Sequence, residues 1–224
     1  IHTRYEFQGG LELVMMMLDT YAFTQSKEFL QDHLLPMARP VLQFYAQHFP
    51  RRDPEGRMVM TQTQALETWL CLQLSDCTTN PLPETAALRV IIPALLTIPE
   101  GLAEPDAKAW RALLSLVPTV PHKGGALAGA AKHPKLSQNQ ENVDLYAAHP
   151  YRLVTSTEPA SKDLLQQALK SYEARPFPCN RGWRQDVMAA ALLGKTHAAV
   201  QQVLQRARTP PPKGWRFVGF MPAF

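Results

Sequence analysis

Three short stretches of this sequence concentrate carboxylates, amides and aromatics, the groups that grip a polyol and move protons on it. The first is Met60-Thr61-Gln62-Thr63-Gln64-Ala65-Leu66-Glu67-Thr68-Trp69, in which one carboxylate is flanked by Leu66 and Trp69 and preceded by amide side chains. An apolar wall disfavours the charged form and raises a carboxyl pKa toward the value a general acid needs near neutral pH. Glu67 suits a solvated helix end equally well. The second stretch, Asn139-Gln140-Glu141-Asn142-Val143-Asp144-Leu145-Tyr146, runs into Ala147-Ala148-His149-Pro150-Tyr151-Arg152. Asn139, Glu141, Asn142, Tyr146 and Arg152 can line a sugar-sized pocket. The same residues can build an N-cap, with Asn142 capping and Asp144 in the first turn, or an ion-pair cluster in which His149 and Arg152 meet the carboxylates. The third is Cys179-Asn180-Arg181-Gly182-Trp183-Arg184-Gln185-Asp186. Here Trp183 can stack on a sugar ring with Gln185 and Asp186 as hydrogen-bond partners, or close the core beneath a loop.

Other chemistries lack their equipment. There is no GxGxxG, GxxxxGK[ST], GxSxG, HExxH or EF-hand pattern, which removes the nucleotide, serine-hydrolase and zincin readings. The histidines are scattered without ligand spacing, so neither a metal nor a cofactor is expected. Cys71, Cys77 and Cys179 form no CxxC pair, and their odd number argues against a disulfide framework or a thiolate zinc site. Lys+Arg minus Asp+Glu is 23 − 19 = +4. No basic run gathers that excess, and Arg51-Arg52 is followed by Asp53 and Glu55, so no nucleic-acid partner is expected. The most apolar run, Ala86 to Leu96, is interrupted by Arg89 and Pro93 and falls short of the ~18 residues of a membrane span.

The elements that must position these stretches read as helices. With 224 residues, 46% of them apolar, the chain can bury a substantial core. Leu11, Val14, Met15, Leu18 and Ala22 fall at helical spacing, and Phe29, Leu30, Leu34, Met37, Val41, Phe44 and Tyr45 follow a break at Thr24-Gln25-Ser26. Ser26 is suited to cap the second helix, which Pro36 and Pro40 should bend or interrupt. Pro83 to Leu96 and Ala107 to Leu116 form a further pair. Leu164 to Tyr172, Val187 to Leu192 and Val200 to Ala207 form three more helices, with Gly194 and Thr196 joining the last two as left-handed turn and N-cap. Pro118 to Gln140 holds Pro118, Pro121, Gly124, Gly125, Gly129 and Pro134 in quick succession, and reads as a long functional loop. No strand alternation exceeds Arg57 to Met60. The class is therefore all-α, antiparallel helical hairpins with long connecting loops. The absence of a strict repeat favours a partial (α/α)₆ toroid over a solenoid.

Taken in order, these segments resemble the six-hairpin glycosidases, specifically the catalytic domain of glycoside hydrolase family 95 and its sister families. Tyr5 to Leu13 resembles the opening hairpin. Gln64 to Trp69, followed by Thr79-Asn80-Pro81-Leu82-Pro83-Glu84-Thr85-Ala86, resembles the segment that carries the acid. Asn139 to Arg152 resembles a stretch written Asn-x-Glu-Asn-x-Glu-Leu-Tyr with a Pro-Tyr-Arg ending, with Asp144 in place of the second Glu. Gly182 to Asp186, with Ala189 to Gly194, resembles a late helix. The departures point to a sister family. Ala65-Leu66-Glu67 stands where family 95 typically has Ser-Pro-Glu, and Asn139 to Asn142 replaces a His-rich stretch.

The resemblance implies an inverting exo-glycosidase acting on L-fucosides or L-galactosides of complex plant or algal glycans, periplasmic or secreted, with Glu67 as general acid. It implies a base from an Asp late in the domain, assisted by early asparagines. On this reading residues 1–224 are a fragment of one catalytic domain, truncated at both ends, with Phe217 to Phe224 leading toward the base, and the fragment alone is inactive. Two other readings accompany it. One is a polysaccharide lyase using Tyr146, His149 and Arg152 on a uronate; the other is a non-catalytic helical scaffold.

Overall fold

The chain's first turning point depends on one hydroxyl. In the computed structural model, which describes residues 4–134, 141–157, 162–179, 184–210 and 213, helix α1 (Gln8–Thr24) buries Leu11, Val14, Met15 and Leu18 and stops at Gln25 in the left-handed conformation. Ser26 then accepts the amide of Phe29 at 3.1 Å and starts α2 (Lys27–Phe29). A π-helical turn (Leu30–Leu34) leads into α3 (Leu35–His48), the amide of Leu35 reaching back to the carbonyl of Leu30. This wider turn immediately precedes Pro36, whose ring and missing amide an α-helical register would not accommodate. Pro40 lies inside α3 on an exposed face without ending it. The two expected interruptions thus reduce to one local widening.

Strand β1 (Thr79–Pro81) delivers the chain into α4 (Leu82–Leu96), the centre of the molecule. Every residue from Leu82 to Leu88 is buried, and so are Ile91, Ile92 and Leu95. A helix whose first two turns are buried on all sides has to be surrounded there. Helix α1, helix α5 (Glu104–Leu116) and a 3₁₀ turn (Val143–Ala147) all pack against it. The half-buried Arg89 reaches from α4 past the end of α5. Its Nε donates to the carbonyl of Pro118 at 2.9 Å and its Nη2 to that of Val117 at 3.2 Å. A cation is favourable at the carbonyl end of a helix.

The segment read as a structureless loop contains short strands. β2 (His122–Lys123) and β3 (Ala126–Leu127) form a hairpin, and β4 (Ala130–Lys132) pairs antiparallel with β1. Gly124 and Gly125 have φ of 61° and 76°, the backbone that a two-residue type I′ turn demands and that glycine supplies without strain. Helix α6 (Lys162–Ala174) packs on β3, and α7 (Asp186–Leu192) pairs with α8 (Thr196–Arg208). Gly194 has φ 75° as expected. Thr196 is the first helical residue rather than the cap, a position Lys195 holds with no side-chain bond.

Mostly helical with small strand pairs, the described chain keeps the all-α class. Among the described residues no helix is long and apolar enough to cross a membrane. One cysteine expectation is corrected: Cys71 and Cys77, six residues apart, form a disulfide, and Cys179 is free.

Removing the Ser26 hydroxyl with Ser26→Ala should cost about 1 kcal/mol, read as a fall in Tm of about 2–4 °C by calorimetry. Reduction of the Cys71–Cys77 bond should cost about 2 kcal/mol from the loop entropy it releases, measured as the difference in Tm with and without reductant.

Candidate functional site

Glu67 sits at the tip of a loop clamped from both sides. At its base Thr63 and Thr78 are buried and paired, the amide of Thr78 donating to the carbonyl of Thr63 at 2.7 Å and their hydroxyls meeting at 2.9 Å. Closer to the tip, Ala65 and Trp69 exchange amide-to-carbonyl bonds of 3.4 and 3.3 Å. Only Leu66, Glu67 and Thr68 remain to reverse the chain, and Leu66 does so with φ 52°, a cost accepted where surrounding contacts over-determine the backbone. Leu66 and Thr68 turn into the protein, while Glu67 is exposed. Glu67 therefore lies on a tight loop, at no helix end; of the apolar wall expected around it, Leu66 faces the core while the half-buried Trp69 borders a cavity.

The loop is tied to the N-terminal segment. The Gln64 amide donates to Tyr5 O at 2.9 Å, and its side-chain Nε2 donates to Leu66 O at 3.0 Å and to Glu6 Oε2 at 3.2 Å. Gln8 Nε2 holds the other Glu6 oxygen at 2.7 Å. From Glu6 a group of carboxylates extends inward through Glu12 to Glu84 and sideways to Glu141 and Glu67. Burial raises the Glu12 carboxyl above its usual range, and the charges of Glu6 and Glu141 add to the shift. Glu84, fully buried at the start of α4, is pushed up to about 8 by desolvation, against the effect of its own amide, with Glu6 and Glu12 adding to the rise. Neither Glu84 carboxylate oxygen bonds to another described residue. The fully buried Tyr45 and Tyr151 share its surroundings, and both phenols are raised, first by desolvation.

Glu141 joins the first and second stretches. The backbone N–H of Glu67 donates to the Glu141 carboxylate, which burial and the charges of Glu67 and Glu6 raise, while Arg184 opposes the shift. Asn142 does not cap. Its Nδ2 spans to Phe177 O at 3.2 Å and to Asp186 Oδ1 at 3.4 Å, joining the second stretch to the third. Asp186 is 2% exposed and serves as a hub. Arg175 pairs with it, the Cys179 amide donates to it at 3.3 Å, and Arg184 lies 3.9 Å away. Gln185 hydrogen-bonds Tyr146, whose phenol is raised mainly by desolvation. Glu141, Asn142, Tyr146, Gln185 and Asp186 thus border one crevice, whose volume of ≈ 40 Å³ holds little more than a water or two at ~30 Å³ each.

The larger space lies on the other side of Glu141. A cavity of ≈ 220 Å³ is bordered by Thr68, Trp69, His133, Glu141, Asp144 and Phe177. Trp69 stacks on His133 with ring centres 4.1 Å apart and planes 17° from parallel. Gly129 lets the indole come close, since a Cβ there would stand 2.6 Å from its ring. Asp144 is pushed up to about 6 by burial, against Ser171 and Arg175, which favour its charge, and with Asp186 adding to the rise.

Of the residues expected to bind substrate, Arg152 is not brought to this place. It pairs with Asp19 across an open cleft of ≈ 860 Å³ between α1, α4 and the 151–157 segment. Tyr146 and His149 share the small crevice, so the three residues of the lyase reading are divided. Asn139, Trp183 and Phe217 to Phe224 lie outside the described residues. Sequence reasoning passed over Glu6, Glu12, Glu84, Thr68 and His133 as site residues. A signal existed for Glu12 and Glu84, since each places a carboxylate within the apolar pattern of its helix. His133 carried none, because only the pairing of β4 with β1 brings it to Trp69.

Among the described residues no three His, Cys, Asp or Glu side chains gather as a metal-binding group. No family model matches the chain, and no curated protein matches it.

The Glu84 environment makes stability depend on pH in a defined direction. An unfolded chain releases this proton near pH ~4.3, the folded one near 8, so the native state holds the extra proton between those values. The contribution is complete below ~4.3 and is lost as pH rises through 8. Denaturant unfolding should show wild-type stability falling from pH 5 to pH 8, with Glu84→Gln flattening the curve; equal slopes for the two proteins would contradict the assignment.

Proposed function

We propose that the chain belongs to an inverting exo-glycosidase of the six-hairpin (α/α)₆ class, acting on L-fucosides or L-galactosides of complex glycans with Glu67 as general acid. The observation that supports this reading best is the placement of Glu67 on a clamped loop at Glu141, beside a cavity with aromatic walls. In an inverting hydrolysis, a carboxylic acid gives its proton to the glycosidic oxygen as the bond to the anomeric carbon breaks. A carboxylate on the opposite face takes a proton from the attacking water, whose oxygen forms the new bond. Glu67 is exposed to meet a leaving oxygen, and its loop is fixed by Gln64, the Thr63–Thr78 pair and the Ala65–Trp69 bonds, so little reorganisation is needed at the moment of transfer. Glu141, its carboxyl raised by burial and neighbouring charge, lies against the same loop and accepts the backbone N–H of Glu67. Asp186 acts in this reading by orienting: its partners join the 3₁₀ turn, the 175–179 segment and α7 behind the site.

The test is activity of the full open reading frame on a panel of aryl glycosides and plant oligosaccharides. Sugar release by wild type that falls ~10²-fold or more in Glu67→Gln identifies the acid. Activity that survives Glu67→Gln but not Glu141→Gln moves that role to Glu141. Products that absorb in the ultraviolet would replace hydrolysis by β-elimination, and insensitivity of every behaviour to both changes would favour the scaffold.

A further inference from the structure

The strand that returns from Glu67 is interrupted. Ala65 pairs antiparallel with Trp69, a register that would set residue 71 opposite Thr63, yet Thr78 stands there instead, 78 − 71 = 7 residues later. The chain thus leaves the hairpin after Trp69 and re-enters it at Thr78. Cys71 and Cys77 mark the two edges of this excursion, with Cα atoms 4.3 Å apart and a disulfide between them. Residues 72–75 are exposed, Leu72 and Leu74 at 65% and 62%. The Asp76 amide donates to Gln73 O at 2.9 Å, and the Asp76 carboxylate accepts Gln73 Nε2 at 3.2 Å and Ser75 Oγ at 3.1 Å. None of these bonds reaches the hairpin, so the splice across the gap is covalent. Such a link removes the entropy of closing the excursion, which the Ala65–Trp69 bonds of 3.4 and 3.3 Å would otherwise have to offset.

We propose that the Cys71–Cys77 bond is a site of thiol–disulfide exchange and acts as a latch: closed, it holds the hairpin that carries Glu67; opened by a dithiol reductant, it loosens that hairpin while the helical core stays folded. Cys71 is 5% exposed and Cys77 is half-buried, so the sulfur open to attack is that of Cys77. A thiolate of the reductant forms a bond to Cys77 Sγ as the bond to Cys71 breaks, and the electron pair leaves on Cys71 Sγ, which takes up a proton. The reductant's second thiolate then displaces Cys77, so that two cysteine thiols form and the dithiol becomes a disulfide. The freed Cys77 has an acceptor in place, since its Sγ lies 3.5 Å from Gln73 O, a bond that only the protonated sulfur donates. The latch depends on the hairpin alone; its effect on turnover rests on the reading of Glu67 as general acid.

Hydrogen exchange of the full open reading frame, with and without dithiothreitol, reads the latch without any substrate. The amides of Ala65, Trp69 and Thr78 should exchange ~10-fold faster or more in the reduced protein, while those of Leu88 and Ile91 in α4 keep their rates. The double variant Cys71→Ser/Cys77→Ser should exchange like the reduced protein and no longer respond to dithiothreitol. A response that persists in it comes from another cysteine and overturns the assignment. Unchanged exchange at the three amides overturns the proposal because the bond then holds nothing, and equal acceleration in α4 overturns it because the bond then holds the whole fold. Turnover of an aryl glycoside that falls on reduction and returns on reoxidation adds the consequence for catalysis. Loosened amides with undiminished turnover leave the latch standing and count against Glu67 as the acid.

Discussion

The burial of the first two turns of α4 on every side is the constraint from which the rest follows. A helix whose first seven residues are all inside needs neighbours around its whole circumference, and α1, α5 and the 143–147 turn meet that need from three directions. Those neighbours carry the groups of the candidate site. Glu12 lies on α1, Glu84 on α4 itself, and Tyr146 on the 3₁₀ turn. The same collapse that hides Leu88, Ile91 and Ile92 draws carboxyl groups from distant parts of the chain into one low-dielectric region. Desolvation there disfavours their charged forms and raises their pKa values. Packing and electrostatics are here one event.

Around that centre the irregular segments are held by polar bonds rather than by apolar area. The 63–78 loop closes on a threonine pair, a two-bond bridge, a disulfide and the side chain of Gln64, and each of these has one partner within four residues of Glu67. On the far side, Asp186 accepts from Asn142, Arg175 and the Cys179 amide. A buried ionic hub of this kind contributes less to net stability than to uniqueness of arrangement, since replacing one partner strands the others. The two devices leave the exposed Glu67 and the half-buried Glu141 on supports that have little freedom to shift.

Much of the helical frame was legible in advance because it rests on local physics. The apolar spacing of Leu11 to Leu18 marked α1, Ser26 marked the start of the next helix, Gly194 marked the turn before α8, and the run from Pro83 to Leu96 marked α4. Three features were misread for identifiable reasons. Gly124-Gly125 reads locally as a breaker, although two adjacent glycines also satisfy the mirror-image turn of a hairpin. The lack of a CxxC pair and the odd cysteine count argue against a disulfide framework, yet two of three cysteines can still pair when a loop brings Cys71 to Cys77. Asn142 has the right side chain for a cap, yet its amide nitrogen is turned to Phe177 and Asp186 instead.

By itself the sequence determined the helical class, the positions of most helices and the residue types available for chemistry, because these follow from hydrophobic periodicity, capping and backbone preference within a few residues of chain. Only the tertiary structure decided which of those residues meet. Glu67 and Glu141 are 74 positions apart in the sequence, and Trp69 finds His133 only when β4 pairs with β1. Arg152, close to Tyr146 in sequence, turns away to Asp19. Burial, and with it the raised pKa of Glu84 and Asp144, is a property of everything packed around a side chain, and no local stretch of sequence carries it.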